Sequence, residues 1–334
     1  MMNYELFKGI VQEKILEYMA PEYANATVEV TTVNKVNRQM DALCIHNNDD
    51  KVALNLYINQ MYEQYLETED LQNVLMDAAK NFQEAMQNKP KTLEGLDFES
   101  FRENVVFALV NKEQNREMLK DVVHRDYQDM AIIYRWVVSK EKDGISSTMV
   151  TDQLAKRLGV TEQELFERAM ENTPRIMPTK VTSLQETIME LFCQDTGITM
   201  DEAKQMGMFD LGEEETSIVW VVTNEMGVNG ASSILLTDEM AKIADRVGTD
   251  LYLLPSSIHE MLAVSTMFGS PESFARMVQD VNMSAVSLED RLSNNVYFYD
   301  KEARTISMAT DVPNKKLGDV VAEQSVRYDN EPIR

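Results

Sequence analysis

The sequence has little cysteine, no long apolar run and no basic cluster, and each absence excludes a class of protein. Only two cysteines, Cys44 and Cys193, occur among 334 residues, too few for the disulfide framework of a small secreted domain. No apolar run approaches the roughly 18 residues that a membrane-spanning helix needs. The first residues do not have the basic segment and apolar core of a signal peptide. These absences predict a cytoplasmic protein.

Positive charge is scarce. The chain has 32 basic and 56 acidic residues, a formal net charge of −24. The longest basic run is the pair Lys315-Lys316. This balance repels nucleic acid and anionic membranes, so we expect neither as a partner. Acidic mimicry of nucleic acid is an alternative, but it requires the acids of blocks such as residues 213–215 to gather in one patch.

No catalytic motif is complete. The chain lacks the Gly-Lys-Ser/Thr triplet of a phosphate-binding loop and the Gly-x-Ser-x-Gly elbow. His124-Arg125-Asp126 copies the start of a kinase catalytic loop, but Ala131 stands where the metal-binding asparagine belongs. His259-Glu260 starts like a zinc-protease helix, but Ala263 replaces the second histidine. We therefore expect no catalytic residues, no metal site and no cofactor.

Helix starts are clear in this sequence. Residues 161–164, 183–186 and 199–202 fit the capping box, in which a hydroxyl and a carboxylate satisfy free N–H groups at the start of a helix. Ser270-Pro271 also predicts a helix start. Apolar residues at helical spacing predict an amphipathic helix; they are Leu71, Val74, Leu75, Ala78, Ala79, Phe82 and Met86.

The remaining pattern predicts interleaved helices and strands. Predicted strands are residues 27–33, 42–45, 52–58, 130–138, 145–150, 217–223, 250–254 and 262–265, with a hairpin at 296–308. Predicted helices are 98–110, 113–120, most of 151–207 with a break at 173–178, 231–247 and 271–281. The last of these helices is expected to bury Phe274, Met277, Val278 and Val281.

This order of elements predicts an α+β fold of two coupled subdomains, with mixed helices and short sheets and a C-terminal β-hairpin. Residues 1–97 form a unit with a helix, three strands and a long helix. Residues 98–310 form a larger mixed α/β unit. Residues 311–334 are polar and aperiodic, so we expect them to fray.

The best candidate site is the turn after an apolar run at residues 251–254. Pro255, Ser256 and Ser257 predict a strand end followed by a helix start, where α/β folds often bind ligands. His259 and Glu260 follow and are suited to proton transfer. Asn229 and Gly230, in a turn between a strand and a helix, are the candidates for a second wall of this site.

The chain has 23 methionines, a residue that adapts its shape to irregular contacts. Met76, Met86, Met170, Met189, Met240 and Met277 fall at helix-facing positions. Core packing is the first interpretation of this pattern. A groove that binds a partner helix or peptide is the alternative.

Six segments carry a resemblance to a known family: residues 33–37, 41–43, 56–62, 117–125, 253–260 and 296–300. They resemble a domain-of-unknown-function family common in anaerobic gut bacteria, and the resemblance covers about residues 3–310. A fainter similarity to the YtpQ-like cytosolic proteins covers residues 130–136, 168–172, 231–240 and 254–262. The resemblance implies a cytosolic bacterial protein of two α/β-like units, and it assigns no activity.

Two hypotheses of function follow. The first is a non-catalytic cytosolic binding or interaction protein whose partner is a protein or a small ligand. The second is an enzyme or small-ligand sensor whose site forms at the turn of Pro255, Ser256, Ser257, His259 and Glu260, with Asn229 and Gly230 opposite.

Overall fold

A computed structural model of the chain describes residues 2–46, 54–87, 98–141, 144–205 and 218–312. These residues form two compact units, one up to residue 87 and one from residue 98 to 312. The acidic block 213–215, the pair Lys315-Lys316 and most of the predicted tail lie outside the described residues. Within the described residues, no helix is long and apolar enough to span a membrane.

The first unit is a three-stranded antiparallel sheet with helices. Its elements are α1 (Tyr4–Lys14), β1 (Thr27–Lys35), β2 (Arg38–His46), β3 (Leu54–Tyr57), α2 (Ile58–Thr68) and α3 (Leu71–Gln87). The strands are hydrogen-bonded in the order β1-β2-β3. The predicted stripe on α3 is in the core, where Val74, Leu75, Ala79 and Phe82 are at most 1% exposed.

The second unit begins with a four-stranded sheet. Its elements are α4 (Phe98–Glu103), β4 (Val105–Asn111), α5 (Arg116–Leu119), β5 (His124–Tyr127), β6 (Met130–Glu141), β7 (Gly144–Met149), α6 (Asp152–Leu158) and α7 (Glu162–Ile176). The order is β4-β6-β5, and β7 also pairs with β6. Helix α7 packs on β4.

A six-stranded antiparallel sheet completes the second unit. The remaining elements are β8 (Thr179–Ser183), α8 (Leu184–Thr196), α9 (Met200–Gln205), β9 (Val219–Asn224), α10 (Thr237–Val247), β10 (Leu251–Ser257), β11 (Glu260–Ser265), α11 (Pro271–Ser284), β12 (Tyr297–Asp300) and β13 (Thr305–Met308). The order is β13-β12-β10-β11-β9-β8. The α+β class and the C-terminal hairpin of β12 and β13 are confirmed.

The predicted helix starts are confirmed at atomic detail. The hydroxyls of Thr161 and Ser183 accept hydrogen bonds from the third helical N–H, and the glutamates at 164 and 186 bond back to the capping residue. Thr199 and Glu202 exchange the same pair of bonds, and Ser270 caps α11. Such caps typically contribute about 1 kcal/mol each.

The predicted helix over residues 98–110 is wrong beyond residue 103. Helix α4 ends at Glu103, and β4 occupies Val105–Asn111 with every residue buried. A strand covered on both faces loses the alternation that distinguishes a strand from a buried helix. The short polar strand β5 was not predicted.

The predicted helical region after residue 151 contains two further errors. Helix α7 continues through Pro174 to Ile176, because a proline near the last turn removes only one late hydrogen bond. The unpredicted strand β8 then pairs with β9. Later, the predicted helix over 231–247 divides into a 3-10 helix, Gly230–Leu235, and α10.

Helix α11 buries fewer residues than predicted. Val278 is 6% exposed and Phe274 is half-buried, but Met277 and Val281 are 55% and 42% exposed. The other methionines also divide, because Met189 and Met240 are fully buried while Met76 is half-exposed. Core packing is thus confirmed for two of these residues, and a methionine-lined groove stays a prediction.

Candidate ligand-binding cleft

The second unit contains an open cleft of about 790 Å³ between the segment that joins β4 to β5 and the chain that flanks β12 and β13. Volumes of about 300–1,000 Å³ are typical of small-molecule sites. We group the lining residues by chain segment. The first wall comprises Lys112, Glu113, Arg116, Leu119, Lys120 and His124, and the second comprises Asp129, Asn295, Asp311 and Val312. The two walls meet where the Lys112 N–H donates to the Asp129 carbonyl oxygen at 3.2 Å. Another cleft, of about 200 Å³, is lined mainly by residues of α4 and α7, together with Val105 and Val160.

Four residues of the first wall recur at intervals of four: Lys112, Arg116, Lys120 and His124. We call them the basic ladder. The backbone from Asn111 to Lys120 follows helical turns, with N–H to carbonyl bonds from Asn115 to Asn111 and from Leu119 to Asn115, whereas His124 begins β5. Residues four apart on a helical turn lie on the same side, with Cβ atoms about 6 Å apart. The local fold therefore presents three permanent cations along one wall.

Each cation of the ladder is held by an exposed carboxylate. Lys112 pairs with Asp126 at 2.5 Å, Arg116 with Glu113, and Lys120 with Glu117 at 2.6 Å. The side chains in these pairs are 44–66% exposed, and exposed pairs contribute only about 0.2–1 kcal/mol. A bound anion can therefore take the place of these partners at little cost.

His124 ends the ladder with a defined tautomer. Its Nδ1 lies 2.9 Å from the carbonyl oxygen of Val122, which can only accept, so Nδ1 carries the proton. In the neutral ring Nε2 is then an acceptor. Nε2 has no hydrogen-bond partner among the described residues.

The second wall is built around Asp129, in the turn between β5 and β6. Its Oδ1 accepts from the Tyr297 hydroxyl at 2.5 Å, and its Oδ2 accepts from Ser293 at 2.6 Å and Asn295 at 2.9 Å. Burial, then the carboxylate of Asp129, raises the pKa of Tyr297 well above its usual value. Asp129 is thus a fixed part of the wall.

Asn295 fixes the end of the described chain to this wall. Its Oδ1 accepts from the Val312 N–H at 2.6 Å and from the Thr310 hydroxyl at 3.1 Å, and its Nδ2 donates to the Val312 carbonyl at 3.0 Å. Asp311 lies between these two anchored residues. Its side chain is exposed and has no hydrogen bond or ion pair within the described part of the chain. Residues 311 and 312, the described part of the predicted tail, are therefore anchored to the second unit.

The predicted site at the turn after β10 has a different local structure from the one expected. Strand β10 runs through Pro255 to Ser257 and turns directly into β11, so no helix follows. Ser256 donates to Glu260 at 2.8 Å, and Ser257 accepts from the His259 N–H at 3.0 Å. The prediction of a helix capped by either serine is wrong, because both hydroxyls stabilise a hairpin.

The structure does bring Asn229 and Gly230 next to His259. Asn229 N–H donates to His259 Nδ1 at 3.2 Å, and His259 Nε2 lies 3.1 Å from Asp290 Oδ1. Since Nδ1 accepts, Nε2 carries the proton and donates to Asp290. Both ring nitrogens are engaged. None of these residues lines either cleft described above.

Gly230 makes the close approach of its segment to the hairpin feasible. A Cβ at this position would overlap the Thr223 hydroxyl and the His259 carbonyl oxygen, and would lie 2.9 Å from the Asn224 nitrogen. The Thr223 hydroxyl itself donates to the His259 carbonyl at 2.8 Å. Any larger residue would push the hairpin away.

A comparison with known protein families shows which family the chain belongs to. A family model described as a family of unknown function, DUF5688, matches residues 4–301. The chain belongs to the DUF5688 family. No curated protein and no solved structure matches the chain. Of the ten residues that line the larger cleft, all but Asp311 and Val312 lie within the part that matches DUF5688.

Sequence reasoning missed the cleft in this DUF5688 chain. The signal that identifies it is the spacing of Lys112, Arg116, Lys120 and His124, which is regular in a chain whose basic residues otherwise look scattered. Asp129 and Asn295 are 166 residues apart, and no spacing rule joins them. In the part of the chain that the structure describes, no group of three His, Cys, Asp or Glu side chains is arranged to hold a metal ion.

Proposed function

We propose that this protein is a non-catalytic binding protein that holds a small anionic molecule in the larger cleft. The observation that carries the proposal is the basic ladder. It places three permanent cations on one wall of a site-sized cleft, in a chain with a net charge of −24.

Charge supports an anion as the ligand. At low ionic strength the negative surface repels anions in general, so a site for one must concentrate cations locally. The exposed partners of Lys112, Arg116 and Lys120 hold these side chains weakly and leave them able to turn toward a ligand.

The distance between His124 and Asp129, the two groups of the cleft suited to acid–base catalysis, supports binding without turnover. His124 pairs with Ile133 at one end of the hairpin of β5 and β6, and Asp129 lies in its turn at the other end. Asp129 also accepts from three neighbours. The two groups therefore form no acid–base pair.

The test compares two triple variants with the same change of charge. Lys112→Gln, Arg116→Gln and Lys120→Gln together remove the ladder. Lys80→Gln, Lys242→Gln and Arg304→Gln remove three exposed cations that also sit in ion pairs but do not line the cleft. In calorimetric titrations, the wild-type chain should bind inorganic phosphate and pyrophosphate. The first variant should bind them with at least tenfold lower affinity, and the second should keep the wild-type affinity. Absence of binding, or equal loss in both variants, rejects the proposal.

A second candidate function is an enzyme or small-ligand sensor at the hairpin turn. It is favoured by the grouping of His259 with Asp290, Glu260 and the hydroxyls of Ser256 and Ser257. Here His259→Gln should abolish a ligand response or a turnover, while the ladder variant leaves it unchanged. A His259→Gln protein that keeps the response excludes this candidate.

We also propose a cytosolic bacterial setting, in accord with the resemblance to proteins of anaerobic gut bacteria and to the YtpQ-like proteins. Both cysteines are free thiols, which suits a reducing compartment. Fractionation of a native source would test this: recovery outside the cytosolic fraction rejects it.

A further inference from the structure

We infer that the ligand of the larger cleft is a dipolar molecule, with an acidic group at the basic ladder and an amino group at Asp311, joined by a short aliphatic linker. This inference rests on the proposed function. It names the chemical class that the two walls together recognise.

The two walls carry opposite charge. The first wall carries the cations of Lys112, Arg116 and Lys120 with one carboxylate, Glu113, whereas the charged residues that line the other wall are Asp129 and Asp311. A simple anion gains from the first wall and is repelled by the second. A molecule with a cationic end is attracted by both, because each end faces charge of the opposite sign.

Asp311 is the group placed to meet an ammonium. Asp129 already accepts from Tyr297, Ser293 and Asn295, whereas the Asp311 carboxylate is exposed and unpaired among the residues described. Its backbone is nevertheless fixed, since Thr310 and Val312 on either side both bond to Asn295. A carboxylate on an anchored backbone meets a ligand with less loss of conformational freedom than one on a loose tail.

Apolar surface lies alongside these charges. Leu119 in the first wall is 7% exposed, and Val312 in the second is half-buried. Both line the cleft and offer contacts to methylene groups. This favours a linker of a few CH₂ groups over a sugar or a nucleobase.

The test uses two probes that differ only in the amino group: O-phosphoethanolamine and ethyl phosphate. Calorimetric titration at pH 7 and low salt should show that the wild-type chain binds O-phosphoethanolamine on the order of tenfold more tightly, the value of one charge-assisted hydrogen bond. Asp311→Asn should bring the two affinities together by weakening O-phosphoethanolamine alone. Asp195→Asn, at an exposed acid on α8, is the matched control and should keep the preference.

The outcomes separate the two proposals. Equal binding of both probes by the wild-type chain overturns the dipolar inference and leaves an anion site in place. Loss of the preference in Asp195→Asn as well overturns the role of Asp311. Failure of both probes, together with inorganic phosphate, overturns the proposed function itself.

Discussion

The Tyr297 hydroxyl donates a 2.5 Å hydrogen bond to Asp129 Oδ1, and this bond joins two sheets. Tyr297 begins β12 of the six-stranded sheet, and Asp129 lies in the turn between two strands of the four-stranded sheet. Tyr297 is fully buried, so its hydroxyl has no water to replace a lost partner. The wall of the cleft is thus tied to the core of the second unit.

Tyr297→Phe should destabilise the protein by about 1–3 kcal/mol, because it removes the buried donor and leaves Asp129 Oδ1 without it. Urea denaturation followed by circular dichroism measures the change. Tyr252→Phe is the control, since the Tyr252 ring packs against Phe274 and Phe298 and its hydroxyl has no hydrogen-bond partner among the residues that the structure describes. If the control loses as much stability as Tyr297→Phe does, the hydrogen bond between Tyr297 and Asp129 is not what stabilises the protein.

Alkaline pH should weaken the fold through Tyr127. Burial raises the pKa of Tyr127 to about 12, from about 10 in an unfolded chain. A raised pKa in the folded state means that the stabilising contribution is complete below pH 10 and is lost as the pH rises from 10 toward 12. Urea unfolding at pH 9, 10 and 11 should show that the free energy of unfolding falls less in Tyr127→Phe than in wild type as the pH rises. An identical fall in both proteins would refute the assignment.

Gly230→Ala and Gly9→Ala should change stability in opposite directions. The first introduces a Cβ that overlaps Thr223 and the His259 carbonyl, and such overpacking costs about 1–3 kcal/mol. The second adds a Cβ inside α1 with no atom within 4 Å, where alanine is favoured by about 0.5–1 kcal/mol. The melting temperatures of the two variants, compared with that of wild type in thermal denaturation, test this prediction. A Gly230→Ala protein as stable as wild type would show that the hairpin is free to move.

Glu117→Gln should tighten anion binding in the cleft. Glu117 holds the Lys120 ammonium with both carboxylate oxygens, at 2.7 and 2.6 Å, and competes with a ligand for it. An exposed ion pair such as Glu117–Lys120 contributes about 0.2–1 kcal/mol. Removing this competition corresponds to a gain of roughly 1.5- to 5-fold in affinity for phosphate. Glu239→Gln frees Lys242 on α10 and should give no such gain. Equal gains would point to net charge rather than to the ladder.

Elements with local signals were predictable from the sequence. The caps at Thr161 and Ser183 depend on residues three apart, and the α3 stripe on residues three and four apart, so both are visible in a short window. Val105–Asn111 has no such signal. Whether that apolar run is a helix or a strand depends on β6, which pairs with it from a distant part of the chain.

Pro255 shows why a correct rule led to a wrong prediction. Proline cannot donate to a neighbouring strand, and it was therefore expected to end β10. In the structure β10 pairs with β12 only at Leu251–Leu253, while Pro255 pairs with Met261 of β11. Beyond Leu253, none of the described strands pairs with this side of β10, and a residue without an N–H is tolerated there.

Only one of the two walls of the cleft could be predicted from the sequence. The ladder at 112, 116, 120 and 124 has a period of four and lies in one short segment. The opposite wall depends on the contact of Asp129 with Ser293 and Asn295, which exists only after two sheets have packed. The contact of His259 with Asn229 and Gly230 is likewise tertiary, because these residues lie about 30 positions apart in the chain.

The Asn295 side chain also restricts which residues its position accepts. Its two amide hydrogens go to Asp129 and to the Val312 carbonyl, and its oxygen accepts from Thr310 and Val312, which uses the full capacity of a carboxamide. Aspartate would set a second negative charge against Asp129, glutamine is one carbon too long, and leucine offers no polar atom. No other side chain of this size and shape can therefore donate two hydrogen bonds and accept two at position 295.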